Sequence, residues 1–95
     1  MITRFVKMNF QEEKVSEFLA LFQANKHKIA GFEGCKSLEL LNDVNEPTIF
    51  FTYSIWEKEE YLSKYRDSLL FTEIWGKTKI LFKAKPEAWS LKSCA

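Results

Sequence analysis

Hydrophobic and polar positions change their period along the chain, and each change indicates a structural element. Met1–Phe10 alternates apolar and polar residues apart from Arg4, which predicts a strand. The segment QEEKVSEFLALFQANKHKI follows, with acidic residues in its first turn and lysines in its last, as the helix dipole favours. Its apolar residues recur at helical spacing and predict an amphipathic helix: Val15, Phe18, Leu19 and Phe22.

Two strands joined as a hairpin are predicted in the middle of the chain. Gly31 is expected to end the first helix, and Gly34 marks the turn into the next strand. Cys35–Leu41 and Thr48–Trp56 both read as strands, and the connection NDVNEP between them is rich in turn-forming residues. The pair therefore predicts an antiparallel hairpin.

The last part of the chain predicts two helices and a strand. The segment EKEEYLSKYRDS is typical of a short helix, and Asp67 or Ser68 can cap a further one. Pro86 prevents that helix from continuing, and EAWSLKS alternates enough for a final strand. The second of these helices is expected to carry an apolar stripe: Phe71, Ile74, Trp75, Thr78 and Phe82.

The order β-α-β-β-α(α)-β predicts an α+β protein with the ferredoxin-like split βαβ fold, one domain over residues 1–95. Its helices cover one face of an antiparallel sheet, so the other face should be polar. The third strand contradicts that expectation, because both of its faces are largely apolar. A homodimer with two sheets packed face to face resolves this. One face would meet the partner: Ile49, Phe51, Tyr53 and Ile55. The other would meet the helices: Phe50, Thr52, Ser54 and Trp56.

Composition and charge narrow the function classes. Hydrophobic residues make up 46% and aromatic residues 16% of the chain, which excludes a disordered protein. A formal charge of +1 indicates neither nucleic acid nor an anionic membrane as partner. The N-terminal alternation contains no apolar run typical of a signal peptide, so a cytoplasmic protein is expected. Cys35, Cys94 and the single His27 match no metal-binding spacing, and no metal site is predicted.

Several segments resemble the antibiotic biosynthesis monooxygenase (ABM) family over essentially the whole chain. The resemblance rests on the element order, on FEGC after the first helix, and on IFFTYSIWEKEEYLSKYRDS and FTEIWGKTKILFKAKPEAW. It implies a dimeric α+β barrel, which the two-faced strand predicts independently. It also implies a monooxygenase that oxidises a small aromatic or quinol-like substrate with molecular oxygen and no cofactor, in a pocket between sheet and helices.

The resemblance implies particular site residues. Trp56 matches a pocket tryptophan of the polyketide-oxidising members, and Thr52 stands where those members have an amide side chain. Their helix tyrosine falls on Leu62, between Tyr61 and Tyr65, which could replace it. We therefore predict Trp56, Tyr65 and Thr52 as catalytic residues. The predicted substrate-binding residues are Phe50, Ser54, Tyr61, Phe71 and Trp75.

Other functions of the same family lead to different expectations. Haem-degrading members place a Trp and a His where this chain has Tyr65 and Trp75, so an axial haem ligand is missing. An isomerase acting on a small carbonyl compound would need a proton-transfer residue such as His27 inside the pocket. A non-catalytic dimeric protein that binds a small molecule, or is associated with stress, is the remaining alternative. Arg66 could pair with an anionic substrate, although a surface ion pair with Asp67 is the simpler interpretation.

Overall fold

A computed structural model describes all 95 residues of the protein. The chain folds into one antiparallel sheet covered on one face by helices, as the sequence predicts. A single 3-10 turn at Glu12–Lys14 precedes the first helix. The helices and strands have these bounds: β1 Ile2–Asn9, α1 Val15–Ala30, β2 Cys35–Asn42, β3 Ile49–Trp56, α2 Glu59–Arg66, α3 Leu69–Lys79 and β4 Glu87–Leu91. No helix has both the length and the apolar character needed to cross a bilayer.

The sheet has the strand order β2-β3-β1-β4, with every neighbouring pair antiparallel. This is the ferredoxin-like topology, in which β2 and β4 form opposite edges. The hairpin of β2 and β3 was also correctly predicted. In the central pair, Val6 of β1 lies opposite Thr52 of β3, and Phe5 lies opposite Tyr53. The register therefore sorts β3 into the two faces that its alternation indicates.

The helical predictions need two corrections. α3 ends at Lys79, so Phe82 does not extend its apolar stripe. Phe82 instead lies in the following turn, where it forms an isolated β-bridge with Phe10. On α1, Phe18 is buried but Leu19 is 38% exposed, because the helix turns a narrower face to the sheet than the sequence pattern indicates. The predicted cap of α3 is Ser68, whose Oγ accepts a hydrogen bond from the Phe71 amide at 3.1 Å.

A compact hydrophobic core lies at one end of the helix-covered face. Phe10 is fully buried and stacks on Phe18, with ring centroids 4.1 Å apart. Phe50 of β3 contacts both rings, at 5.9 and 5.4 Å. Five buried residues form this cluster: Met8, Phe10, Phe18, Phe50 and Leu81. It fixes α1 and the end of β1 on the sheet and leaves the opposite end of the same face to other residues.

The helix-free face of the sheet, called here the outer face, is largely apolar. Phe5 lies at its centre, opposite Tyr53 on one side and Trp89 on the other. The rings of Phe5 and Tyr53 are 4.9 Å apart, while Trp89 and Leu91 are 42% and 48% exposed. A contiguous exposed apolar surface on a small domain typically marks an interface with another molecule.

The turn before β2 requires glycine at position 34. Gly34 has φ +84°, in the left-handed region that other residues seldom adopt. A Cβ atom there would overlap Cγ of Tyr61, because the ring of this α2 residue packs directly on the Gly34 backbone. The Glu57 amide donates a hydrogen bond to the Gly34 carbonyl at 2.8 Å. Gly34 therefore holds the start of α2 against the start of β2.

Candidate functional site

A cavity of about 320 Å³ lies between the helices and the sheet, next to the hydrophobic core, and Met8 and Phe18 of that core form part of its lining. Its floor is formed by inward-facing residues of the first three strands, among them Val6, Leu38 and Thr52. Its walls come from α2 and α3, including Tyr65, Phe71 and Trp75. The volume falls at the lower end of the range for small-molecule sites.

The cavity exists because the middle of β3 has small side chains on its inner face. Phe50 and Trp56 fill the space above the two ends of this strand and are 5% and 1% exposed. Thr52 and Ser54 stand between them and reach far less into the space below the helices. Large apolar side chains at these two positions would fill the cavity, and the face would become continuous core.

Aromatic rings form one connected wall of the cavity. Trp56 stacks on Tyr65 with centroids 5.3 Å apart, and Tyr65 meets the edge of Phe71 at 5.3 Å. Phe71 stacks on Trp75 at 5.8 Å, and Trp75 contacts Phe82, which does not itself line the cavity, at 5.5 Å. These separations are typical of favourable aromatic pairs. The wall thus presents rigid, flat surfaces suited to a planar ligand.

Hydroxyl groups supply the polarity inside the cavity. The buried Trp56 Nε1 donates a hydrogen bond to Ser54 Oγ at 3.0 Å, which leaves the Ser54 hydroxyl hydrogen free. The hydroxyls of Thr52 and Tyr65 make no hydrogen bond to the chain. Neither hydroxyl is fully buried, because the protein has no fully buried side-chain polar atom without a hydrogen-bond partner. Since both residues line the cavity, both hydroxyls are open to it. Three hydroxyls are therefore available to a bound molecule.

Tyr65 is a neutral donor over the whole physiological range. Burial raises the pKa of its phenol to about 12, and the nearby Cys35 adds to that increase. Burial also raises the pKa of the Cys35 thiol, against a smaller opposite effect of its contact with the Ser37 carbonyl. Neither group is an effective base near pH 7. Tyr65 can donate a hydrogen bond to a ligand oxygen but does not accept a proton.

The raised pKa of Tyr65 predicts a specific loss of stability in alkaline solution. An unfolded tyrosine ionises near pH 10, whereas Tyr65 retains its proton until about pH 12 in the folded state. The folded state therefore binds more protons in this window, and the free energy of unfolding should fall as pH rises from 10 to 12, by up to about 3 kcal/mol. Denaturant unfolding at several pH values between 10 and 12 measures this decrease in the free energy of unfolding.

Two tyrosine variants isolate this effect. Tyr65→Phe should abolish the Tyr65 share of the decrease, so its free energy of unfolding should depend less on pH than that of the wild type. Tyr61→Phe makes the same change on the same helix but retains Tyr65. Its free energy of unfolding should therefore depend on pH as that of the wild type does. Identical pH dependence of Tyr65→Phe and the wild type would contradict the assignment.

The entrance to the cavity contains charged side chains. Arg4 of β1 and Arg66 at the end of α2 line it, together with Glu87 and Ala88 of β4. Arg66, Glu87 and Ala88 are exposed, which places the opening at the β4 edge of the sheet. Glu87 lies 3.9 Å from Lys7. Arg4 donates a hydrogen bond to Ser90 at 2.9 Å.

The structure brings most of the predicted site residues together, but not all. The cavity lining includes Thr52, Ser54, Trp56, Tyr65, Phe71 and Trp75. Phe50 lies outside it, because its ring packs into the core against Phe18. Tyr61 also lies outside, since it packs on Gly34 and beneath the Lys64 ammonium. His27 is exposed in the last turn of α1 and does not line the cavity.

Sequence reasoning missed the arginine at the floor of the entrance. Arg4 interrupts the apolar alternation of β1 on its inward-facing side, and that interruption was the available signal. Arg66 has no salt-bridge partner, so the suggested surface ion pair with Asp67 is absent. Apolar residues that complete the lining were also not singled out as site residues: Leu38, Leu62 and Ile74. No three His, Cys, Asp or Glu side chains are grouped so that they could hold a metal ion.

Comparisons with known proteins place the chain among structures of the same fold. A crystal structure of an antibiotic biosynthesis monooxygenase superposes with a TM-score of 0.93 at 15% identity, covering all of both chains. A conserved protein from Methanosarcina mazei Go1 gives 0.92 at 23% identity, over 99% of this chain and 94% of that one. Rv0793 from Mycobacterium tuberculosis gives 0.90 at 14%, over 99% and 95%.

Sequence comparison identifies the family directly. No curated protein matches the chain. The sequence model described as antibiotic biosynthesis monooxygenase, however, matches residues 1–75. Because this match covers well over half of the 95 residues, the protein belongs to the antibiotic biosynthesis monooxygenase (ABM) family.

Proposed function

We propose that the protein is a homodimeric monooxygenase that oxidises a small aromatic, quinol-like molecule with molecular oxygen and without a cofactor. The observation that carries this proposal is the cavity itself, with an aromatic wall beside three available hydroxyls. A flat ring can stack in it while its oxygen accepts hydrogen bonds. Membership of the ABM family and neighbours named monooxygenases support an oxidoreductase on this fold.

In this proposal the substrate supplies the electrons. A phenol loses its proton, a ring carbon of the phenolate forms a bond to O2, and a hydroperoxide results. Loss of water then breaks the O–O bond and leaves a quinone carbonyl. One oxygen atom stays in the product and the other leaves as water, so no other reductant is required.

The cavity residues favour this reaction through charge stabilisation and exclusion of water. Hydrogen bonds from Thr52, Ser54 and Tyr65 stabilise the phenolate oxygen, and they are stronger away from bulk solvent. Trp56 and Phe71 hold the ring. The raised pKa of Tyr65 keeps that phenol a donor, and the substrate proton leaves to solvent through the entrance. Thr52, Trp56 and Tyr65 thus keep their predicted catalytic roles in this proposal.

The alternatives fit the cavity less well. An isomerase needs a group that moves a proton between substrate carbons, and the cavity lining contains no histidine. Its one carboxylate, Glu87, stands at the entrance beside Lys7. A protein that binds a ligand without turning it over would use the same aromatic wall. Oxygen uptake in the presence of substrate distinguishes such a binding protein from a monooxygenase.

Replacement of Tyr65 by Phe tests the proposed chemistry. Removing one preorganised donor from a developing anion is expected to lower kcat about a hundred- to a thousandfold. Oxygen uptake with a panel of phenols and hydroquinones measures the rate, and mass spectrometry after reaction under ¹⁸O2 detects the incorporated atom. Quinone containing the heavy isotope is the expected product.

Tyr61→Phe is the matched control for this measurement. It also removes a tyrosine hydroxyl from α2, but one outside the cavity, so the rate of oxidation by this variant should stay within about twofold of the wild-type rate. If no member of the panel is oxidised faster than it is in buffer, the protein binds without catalysis. If Tyr65→Phe is as active as the wild type, Tyr65 has no part in the reaction.

A further inference from the structure

Two arginines at the cavity entrance lack the acidic partners that usually accompany buried or clustered guanidinium groups. Arg4 extends from the inner face of β1, and Arg66 from the last turn of α2, so separate elements bring them to the same opening. Neither forms a salt bridge. Arg4 makes one side-chain hydrogen bond, to Ser90, although a guanidinium has five N–H donors. The chain itself therefore occupies little of this donor capacity.

The two positive charges affect each other and are not neutralised locally. Burial lowers the pKa of Arg4, and the charge of Arg66 lowers it further. The single carboxylate of the lining, Glu87, lies 3.9 Å from Lys7 on the neighbouring strand. The entrance therefore places like charges side by side, an arrangement that an anion bound between them would relieve.

The distribution of polar groups gives the cavity two distinct ends. Towards β3 and α2 the lining has aromatic rings and neutral hydroxyls, from Trp56, Tyr65 and Thr52, whereas on the β4 side the guanidinium of Arg4 is held by its hydrogen bond to Ser90. A planar guanidinium binds a carboxylate with two parallel hydrogen bonds, which fixes orientation as well as charge. A ligand that matches both ends has an apolar ring on one side and an anionic group on the other.

We propose that the natural substrate is an aromatic carboxylate, whose ring lies against the Trp56 and Phe71 wall and whose carboxylate is bound by Arg4 and Arg66. This inference rests on the proposed function for the site and adds the chemical class of the substrate. It also orients the molecule, because the ring hydroxyl then points inward to Tyr65 and the carboxylate points to the β4 edge.

Anaerobic calorimetric titration with two matched probes tests the inference without any turnover. The first probe is a hydroxynaphthoate with its hydroxyl and carboxylate at opposite ends of the ring system. The second is the naphthol that lacks the carboxylate. The wild type should bind the hydroxynaphthoate at least about tenfold more tightly, since hydrogen bonds between charged groups are the stronger class. Added salt should weaken only the carboxylate probe.

Substitutions locate the effect. Arg66→Gln should raise the Kd of the hydroxynaphthoate about tenfold and leave that of the naphthol within about twofold. Arg4→Gln should act in the same way, and Arg66→Lys, which keeps the charge but not the planar fork, should fall between. Lys64→Gln removes a positive charge from the same helix outside the cavity and should change neither Kd. Circular dichroism confirms that each variant is folded.

The outcomes separate this inference from the proposed function. Equal binding of the two probes, an equal effect of Lys64→Gln, or no binding of either probe would overturn the assignment of an aromatic carboxylate. Tight, arginine-dependent binding of the hydroxynaphthoate without oxygen uptake would support the ligand class and reject only the oxidation. Oxidation of neutral phenols with no preference for the carboxylate would reject only the ligand class.

Discussion

Replacing Trp56 by alanine is expected to lower the free energy of unfolding by about 3–5 kcal/mol, the range for removal of a buried aromatic side chain. Trp56 is 1% exposed and is one of the two largest fully buried side chains. The change removes its stacking on Tyr65 and its edge contact with Phe32, and it leaves Ser54 Oγ without its donor. A domain of this size has a total stability of roughly 5–15 kcal/mol, so much of it would be lost.

Guanidinium chloride unfolding, followed by circular dichroism, measures this effect. Wild type and variant must be compared at equal protein concentration, because association stabilises the folded state by mass action. Trp56→Phe provides the graded comparison: it keeps a ring in the same place but loses the hydrogen bond to Ser54, and a decrease of about 1–2 kcal/mol is expected. A loss below about 1 kcal/mol for Trp56→Ala would show that the ring is dispensable for packing.

The second large effect concerns the outer face of the sheet. If the protein forms the homodimer proposed above, with a mass of about twice 11.2 kDa, Phe5→Lys is expected to convert it into a monomer of a single chain mass. Phe5 lies between Tyr53 and Trp89, and neither of these neighbours has a negative charge to compensate an ammonium group. Burying an unpaired charge in an interface costs several kcal/mol, so the dimer Kd should rise at least about a hundredfold.

Light scattering across a range of micromolar concentrations measures the mass of each form. Gln23→Lys adds the same charge to the exposed side of α1, away from the outer face, and should leave the dimer intact. Circular dichroism of Phe5→Lys should still show the folded monomer, since Phe5 is only partly buried within its own chain. A wild type that is monomeric at these concentrations would refute the dimer.

Local patterns in the sequence were sufficient to predict the fold. Three predicted features depend only on one or a few neighbouring residues: the alternation of faces along β3, the turn at Gly34 and the helix cap at Ser68. Each of them agrees with the structure. The prediction failed where contacts between distant segments of the chain determine the position of a residue. Phe82 leaves the helix to pair with Phe10, a contact between the two ends of the chain that no local periodicity encodes.

The candidate site shows the same division. Alternation placed Thr52, Ser54 and Trp56 on one face, but it also placed Phe50 there, and only the packing of α1 shows that Phe50 belongs to the core. Spacing could not distinguish Tyr65 from Tyr61, because the direction of each ring depends on how α2 is rotated over the sheet. Arg4 and Arg66 are far apart in sequence, and only the folded chain brings them to one opening.

The small residues at the centre of β3 also have an evolutionary consequence. The space inside the protein results from the small size of Thr52 and Ser54, and Thr52 makes no side-chain hydrogen bond that the fold requires. Substitutions at position 52 can therefore enlarge or reduce the site while the core around Phe10 and Phe18 remains intact. The same scaffold can in this way present sites of different size and shape, since function resides in the site and not in the fold.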